Sequence, residues 1–139
     1  MSVDEKALLL AAYEAKENAY APYSHFCVGA ALLCSDGRVF TGCNVENASY
    51  GATGCAERTA LYKAISEGAR DFCAIAIVGE REGERMQPCP PCGICRQVMA
   101  ELCPKDLLIL LCDRERIVRY TAEELLPCSF DLHSMGGMR

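Results

Sequence analysis

The chain has 139 residues, 51% of them hydrophobic, and its 14 basic against 19 acidic side chains give a net charge of −5. That length suits a single domain, residues 1–139, able to bury a core without disulfides, and the negative balance argues against a partner held by phosphate contacts, so no nucleic acid is expected. Eleven cysteines, an odd number, with no charged-then-apolar leader point to reduced thiols in a cytoplasmic protein rather than a disulfide scaffold, and no apolar run approaches the roughly 20 residues of a membrane-spanning helix.

Ser2-Val3-Asp4-Glu5 has the pattern of a capping box, and Leu8, Leu9, Ala12 and Ala15 recur at helical spacing, which predicts a helix to about Asn18. Ala21-Pro22-Tyr23-Ser24 breaks it. Phe26 to Cys34 reads as a strand whose small residues Gly29, Ala30 and Ala31 mark a close approach; Ser35-Asp36-Gly37 turns the chain, and Arg38 to Val45 returns to complete a hairpin. After a polar loop to Gly54, Cys55 falls in the first turn of a helix that ends near Gly68. Phe72 to Val78 is a continuous apolar run, as expected of a central strand covered on both faces. Glu80 to Gln87 reads as a charged, solvated loop, and the prolines at 88, 90 and 91 delay the next helix to Cys92, from where it runs to Leu102. Leu107 to Cys112 and Ile117 to Tyr120 read as two more strands, Thr121 to Glu124 as a capping box for a short last helix, and the tail from Pro127 as irregular. This order predicts an α/β fold: a single domain with a mixed sheet of about five strands and helices on its faces.

Cys55-Ala56-Glu57 and Pro91-Cys92-Gly93-Ile94-Cys95 carry the chemistry. One thiol beside a carboxylate plus a second pair of thiols makes a zinc site with three protein ligands, Cys55, Cys92 and Cys95, and a fourth tetrahedral position for a water nucleophile. Helices packed side by side would bring the two motifs together, and their N-termini favour the thiolates. Three thiolates around Zn²⁺ leave one net negative charge, which Arg58, or less obviously Arg96, is placed to offset by donating to ligand sulfurs. Glu57, two residues past Cys55, is expected to carry protons to and from the water nucleophile. The pattern resembles that of zinc deaminases of nucleobases, which implies delivery of those protons to a ring nitrogen and a departing amine, with the Pro91 carbonyl a candidate acceptor for the amine. The other eight cysteines read as small core residues. His25 and His133 lack ligand spacing and read as structural or solvent-facing.

At these residues the chain resembles the small, homotetrameric type of zinc-dependent cytidine deaminase. The resemblance runs through Tyr23 to Leu32, Gly42 to Gly51, Cys55 to Ala60 and Pro91 to Gln97, in that family's order. It implies a three-layer α/β/α fold, one Zn²⁺ per subunit, and hydrolytic deamination of cytidine and deoxycytidine in pyrimidine salvage. It further implies that Asn44 and Glu46 bind the ribose hydroxyls, Phe26 stacks on the base, and the Ala56 backbone holds the base carbonyl. Tyr50 and Phe130 would cross between subunits of a homotetramer to neighbouring pockets. The expected partner is thus a small nucleoside, with neither nucleic acid nor membrane.

Two rival readings stand beside this one. The same zinc chemistry serves other aminated pyrimidines, with Glu46 weighing against a phosphorylated substrate. Cys89, three residues before Cys92, leaves open a closed four-thiolate structural zinc, although the following prolines should hold it extended and outside the helix.

Overall fold

The structure, a computed structural model, describes residues 2–132 and 134–136; the expectation for His133 therefore lies outside the described residues. The first helix, α1 (Glu5–Ala15), is capped by Asp4, whose carboxylate accepts the Ala7 N–H at 3.1 Å. The cap thus falls two residues later than a Ser2 capping box would place it. Leu8, Leu9 and Ala12 form the buried stripe, and a 3-10 turn at Lys16–Asn18 closes the element. Strands β1 (Phe26–Cys34) and β2 (Val39–Cys43) form the expected antiparallel hairpin, with Phe40 and Gly42 facing inward.

Helix α2 (Ala56–Ser66) ends in a Schellman motif, in which Gly68, at φ +95°, donates to the Ile65 carbonyl and Ala69 donates to that of Ala64. Strand β3 (Phe72–Arg81) is followed by α3 (Gly93–Leu102), β4 (Leu108–Cys112), β5 (Ile117–Thr121) and α4 (Ala122–Leu125). Thr121 and Glu124 form the expected capping box of that last helix.

The strand order is β2-β1-β3-β4-β5, with β3 and β4 parallel and the other neighbours antiparallel. Beyond Val78 the expectation of a solvated loop from Glu80 fails at both ends. The nine-residue β1 offers partners to Glu80 and Arg81, which pair with Cys27 and Phe26 and prolong β3. Glu80 also meets the buried Lys16 ammonium at 2.8 Å, and Met86 folds back into the core beside α1.

This topology decides where the site lies. From β2 to β3 through α2, and from β3 to β4 through α3, the chain steps in the same direction across the sheet. Crossovers of one hand then place both helices on the same face. Alternation along the strands builds that layer from Leu32, Ile75, Ile77, Ile109 and Leu111 against Leu61 and Met99. The opposite layer sets Ala31, Ala74 and Ala76 under Leu8, Leu9 and Ala12 of α1. The smaller side chains let α1 lie close to the sheet.

Two glycines set the contact distances. A Cβ on Gly29 would lie 2.0 Å from the Ala12 carbonyl oxygen, and one on Gly42 would lie 2.5 Å from the Ala60 nitrogen and 2.7 Å from the Ala56 oxygen. Backbone cannot yield as a side-chain tip does, so alanine at either position forces a helix off the sheet, at a cost of about 1–3 kcal/mol or more. We expect Gly29→Ala and Gly42→Ala both to lower the urea midpoint. Only Gly42→Ala, which displaces the helix that follows Cys55, is expected to lower zinc content as well; equal zinc in both variants would contradict this placement.

Candidate active site

Cys55 and Cys92 are the N-cap residues of α2 and α3, both with extended backbone. Pro90 and Pro91 keep the segment before Cys92 out of helical geometry. Cys95 lies in the first turn of α3 and is fully buried. The Cys92 sulfur accepts the Cys95 N–H at 3.5 Å, and the sulfurs of Cys55 and Cys92 are 3.6 Å apart. All three sulfurs lie within 4.8 Å of one another. Tetrahedral zinc with Zn–S bonds of about 2.3 Å needs sulfur separations of about 3.8 Å, so this donor set fits one zinc ion and leaves one coordination position over.

The electrostatics favour a thiolate at Cys55. Hydrogen bonds from Cys95, then from Arg58 and Cys92, push the Cys55 thiol down to about 5, against the opposing effect of its burial. Cys95, the donor to Cys55 and itself buried, is raised. Arg58 donates at 3.3 Å both to the Cys55 sulfur and to the Thr53 carbonyl, while its Nε is buried without a partner. Arg96 does not share this role: its guanidinium donates to the carbonyls of Pro91 at 2.8 Å and Leu125 at 2.9 Å. The Pro91 oxygen expected to receive an amine therefore already has one donor.

Glu57 is 4% exposed, and burial pushes its carboxyl up to about 7, with negative charge at Cys55 adding to the rise. Such a group takes up and releases protons near neutrality. Cys89 lies outside the three-sulfur group. Burial, reinforced by negative charge at Glu57 and Cys55, pushes its thiol up to about 12, and its sulfur packs near the Phe26 ring beside Gly79. The remaining cysteines divide: Cys34 is buried, Cys27, Cys43, Cys73, Cys103 and Cys112 are half-buried, and Cys128 is exposed, so core filling does not describe them all.

The residues expected at the sugar and base gather at the same sheet edge. Because β1 runs antiparallel to β2 and β3, its first residue, Phe26, pairs with Arg81 at the end of β3, while Gly29 pairs with Cys43 at the end of β2. Asn44, just past β2, is buried; its Oδ1 accepts the Val28 N–H at 2.9 Å and its Nδ2 donates to the Phe26 carbonyl at 2.8 Å. Val45 exchanges two backbone hydrogen bonds of 2.9 Å with Gly54, which sets Asn44 and Glu46 alongside the approach to Cys55. The Glu46 carboxylate accepts the N–H groups of Tyr23 at 3.1 Å and Ser24 at 3.0 Å, and also the Ser24 hydroxyl. That hydroxyl, chief among these donors, holds Glu46 below the usual carboxylate range.

Ala56 is fully buried at the start of α2. Tyr50 and Phe130 are not packed into the chain: they are 81% and 60% exposed. Sequence reasoning assigned nothing to Ser24 or Arg81, because no spacing rule links residue 24 to residues 46 and 81. Among the described residues, no helix is long and apolar enough to cross a membrane.

The family model for the cytidine and deoxycytidylate deaminase zinc-binding region matches residues 1–111. A cytidine deaminase from Halalkalibacterium halodurans is 54% identical over 134 residues, covering 96% of this chain and 98% of that protein. A blasticidin-S deaminase from Bacillus cereus is 30% identical over 107 residues, covering 74% of this chain and 76% of that one. The crystal structure of cytidine deaminase from Burkholderia pseudomallei superposes with a TM-score of 0.85 at 52% identity, covering 92% of this chain and 100% of that chain. With its three sulfurs spaced for zinc beside a buried carboxyl, and with likeness on this scale in both sequence and fold, the chain belongs to the cytidine deaminase family.

Proposed function

We propose that this protein hydrolyses cytidine and deoxycytidine to uridine and deoxyuridine with release of ammonia, using one zinc ion per subunit held by Cys55, Cys92 and Cys95. The observation that carries this reading is the cluster of three sulfurs at two helix N-termini with the buried Glu57 beside it. Bound zinc supplies Lewis-acid activation of water for attack at C4 of the base. Glu57 would take one proton from the attacking water and pass it to the ring nitrogen N3. It would then take the remaining proton from the hydroxyl now on C4 and pass it to the amine, which leaves as ammonia as the C4 carbonyl forms. Arg58 and the two helix ends offset the negative charge of the thiolates.

Phe26 offers the flat base a stacking surface, and the Ala56 N–H donates to the base carbonyl. Asn44 and Glu46 bind the sugar hydroxyls with what remains of their hydrogen-bonding capacity. An ionised Glu46 at the sugar end suits neutral hydroxyls and opposes a phosphate, which favours nucleosides over nucleotides. The exposed rings of Tyr50 and Phe130 support a homotetramer in which neighbouring copies complete each pocket. We place the reaction in pyrimidine salvage in the cytoplasm.

The first test follows the loss of the cytosine absorbance band with cytidine as substrate, with and without prior removal of zinc by a strong chelator. Turnover that falls on zinc removal and returns on its restoration is expected; turnover indifferent to zinc would refute the assignment. Glu57→Gln leaves the sulfurs in place, so it should keep zinc, measured by elemental analysis, and lose on the order of 10²–10⁴ in kcat. Cys92→Ala should lose zinc and activity together. Cys89→Ser separates an open catalytic site from a closed structural one: one zinc per subunit should remain, whereas loss of zinc and of the fold would support a four-thiolate centre.

A further inference from the structure

Ser24 uses its backbone and side chain to join elements that meet only in the folded chain. Its N–H donates to Glu46 Oε1 at 3.0 Å and its hydroxyl donates to Oε2 of the same carboxylate. The hydroxyl oxygen accepts the Phe26 N–H at 3.0 Å. From the other side, Arg81 Nη1 donates to the Ser24 carbonyl at 2.5 Å while its guanidinium lies 6.0 Å from the centroid of the Phe26 ring. The adjoining His25 adopts φ +58°, an uncommon conformation for a side-chain-bearing residue, and its N–H donates to the Ala21 carbonyl at 3.0 Å. That reversal lets Ser24 face Glu46 while Phe26 enters the sheet.

A carboxylate accepts about four hydrogen bonds, and the Tyr23 N–H with the two Ser24 donors fills three of those places. Both oxygens are held, so the plane of the group is fixed and its remaining capacity points one way. We infer that Ser24 is a positioning residue for nucleoside binding: its hydroxyl orients the Glu46 carboxylate toward the sugar and ties it to Phe26 at the base. This rests on the proposed roles of Glu46 and Phe26. A nucleoside is rigid enough that base and sugar contacts must keep a set separation, and Ser24 bonds directly to both of the residues that would make them. If the hydroxyl only closed a turn, its removal would change stability without acting through Glu46.

A double-mutant cycle distinguishes the two cases. Kinetics with cytidine are measured for the native protein, Ser24→Ala, Glu46→Ala and the double variant, each checked for zinc content and melting temperature. Ser24→Ala should raise KM about tenfold with kcat within about threefold, as expected when substrate and transition state lose the same contact. In the Glu46→Ala background the same change should alter kcat/KM by less than about twofold. Equal losses with and without Glu46, or a loss in kcat matching the rise in KM, would overturn the role of Ser24. Should Ser24→Ala not fold, Ser24→Cys, nearly isosteric and a weak donor, decides the same question in the same cycle. A native protein with zinc that does not deaminate cytidine would overturn the functional reading, and this inference with it; additive losses in an active enzyme overturn the inference alone.

Discussion

Three cysteine sulfurs brought within 4.8 Å of one another are the constraint to which the surrounding structure answers. Thiolates so close repel one another unless a cation and oriented dipoles sit among them. The chain answers with two helix N-termini at Cys55 and Cys92, and with the Arg58 guanidinium 3.3 Å from the Cys55 sulfur. Zinc completes the balance. Glu57, buried beside Cys55, has its carboxyl pushed up to about 7, chiefly by burial and further by negative charge at Cys55.

The sheet holds this arrangement in register. Gly42 lets the backbone of α2 rest directly on β2, and Gly29 does the same for α1 on β1. Helix α2, which follows Cys55, and helix α1 on the opposite face therefore refer to one platform. The Thr59 hydroxyl donates to the Cys43 carbonyl at 3.0 Å, a further link between α2 and the end of β2. Asn44 continues the same logic beyond the strand, since its amide pairs with the backbone of β1 at Val28 and Phe26. The residues proposed to meet the sugar and base are thus extensions of the hairpin rather than members of a free loop.

Much of this was legible in the chain. Strand β1 has the expected limits, the continuous apolar run at Phe72–Val78 is the central strand, and Thr121 caps the last helix as its pattern implied. The expectations that failed have two causes. Strand β3 runs on to Arg81, and Arg96 bonds to backbone carbonyls, that of Leu125 among them, rather than to sulfur, because partners distant in sequence hold them, which local pattern does not carry. Asp4 rather than Ser2 caps α1 through a local bond from the Ala7 N–H, since the sequence offers two capping residue types close together.

Residue types and their spacing by themselves pointed to a metal. Thiols at 55, 92 and 95 beside a carboxylate at 57 form a zinc donor set, because three thiolates bind zinc strongly and leave one tetrahedral position over. Alternation and capping likewise determined the elements, since hydrophobic period and backbone hydrogen bonding act over a few residues. Only the tertiary structure decided that the sulfurs converge, that Cys89 stands apart from them, that Glu57 is buried, and that Ser24 grips Glu46. Those outcomes depend on two crossovers of one hand over one sheet face, and on which backbone atoms come within hydrogen-bonding distance once the sheet has closed.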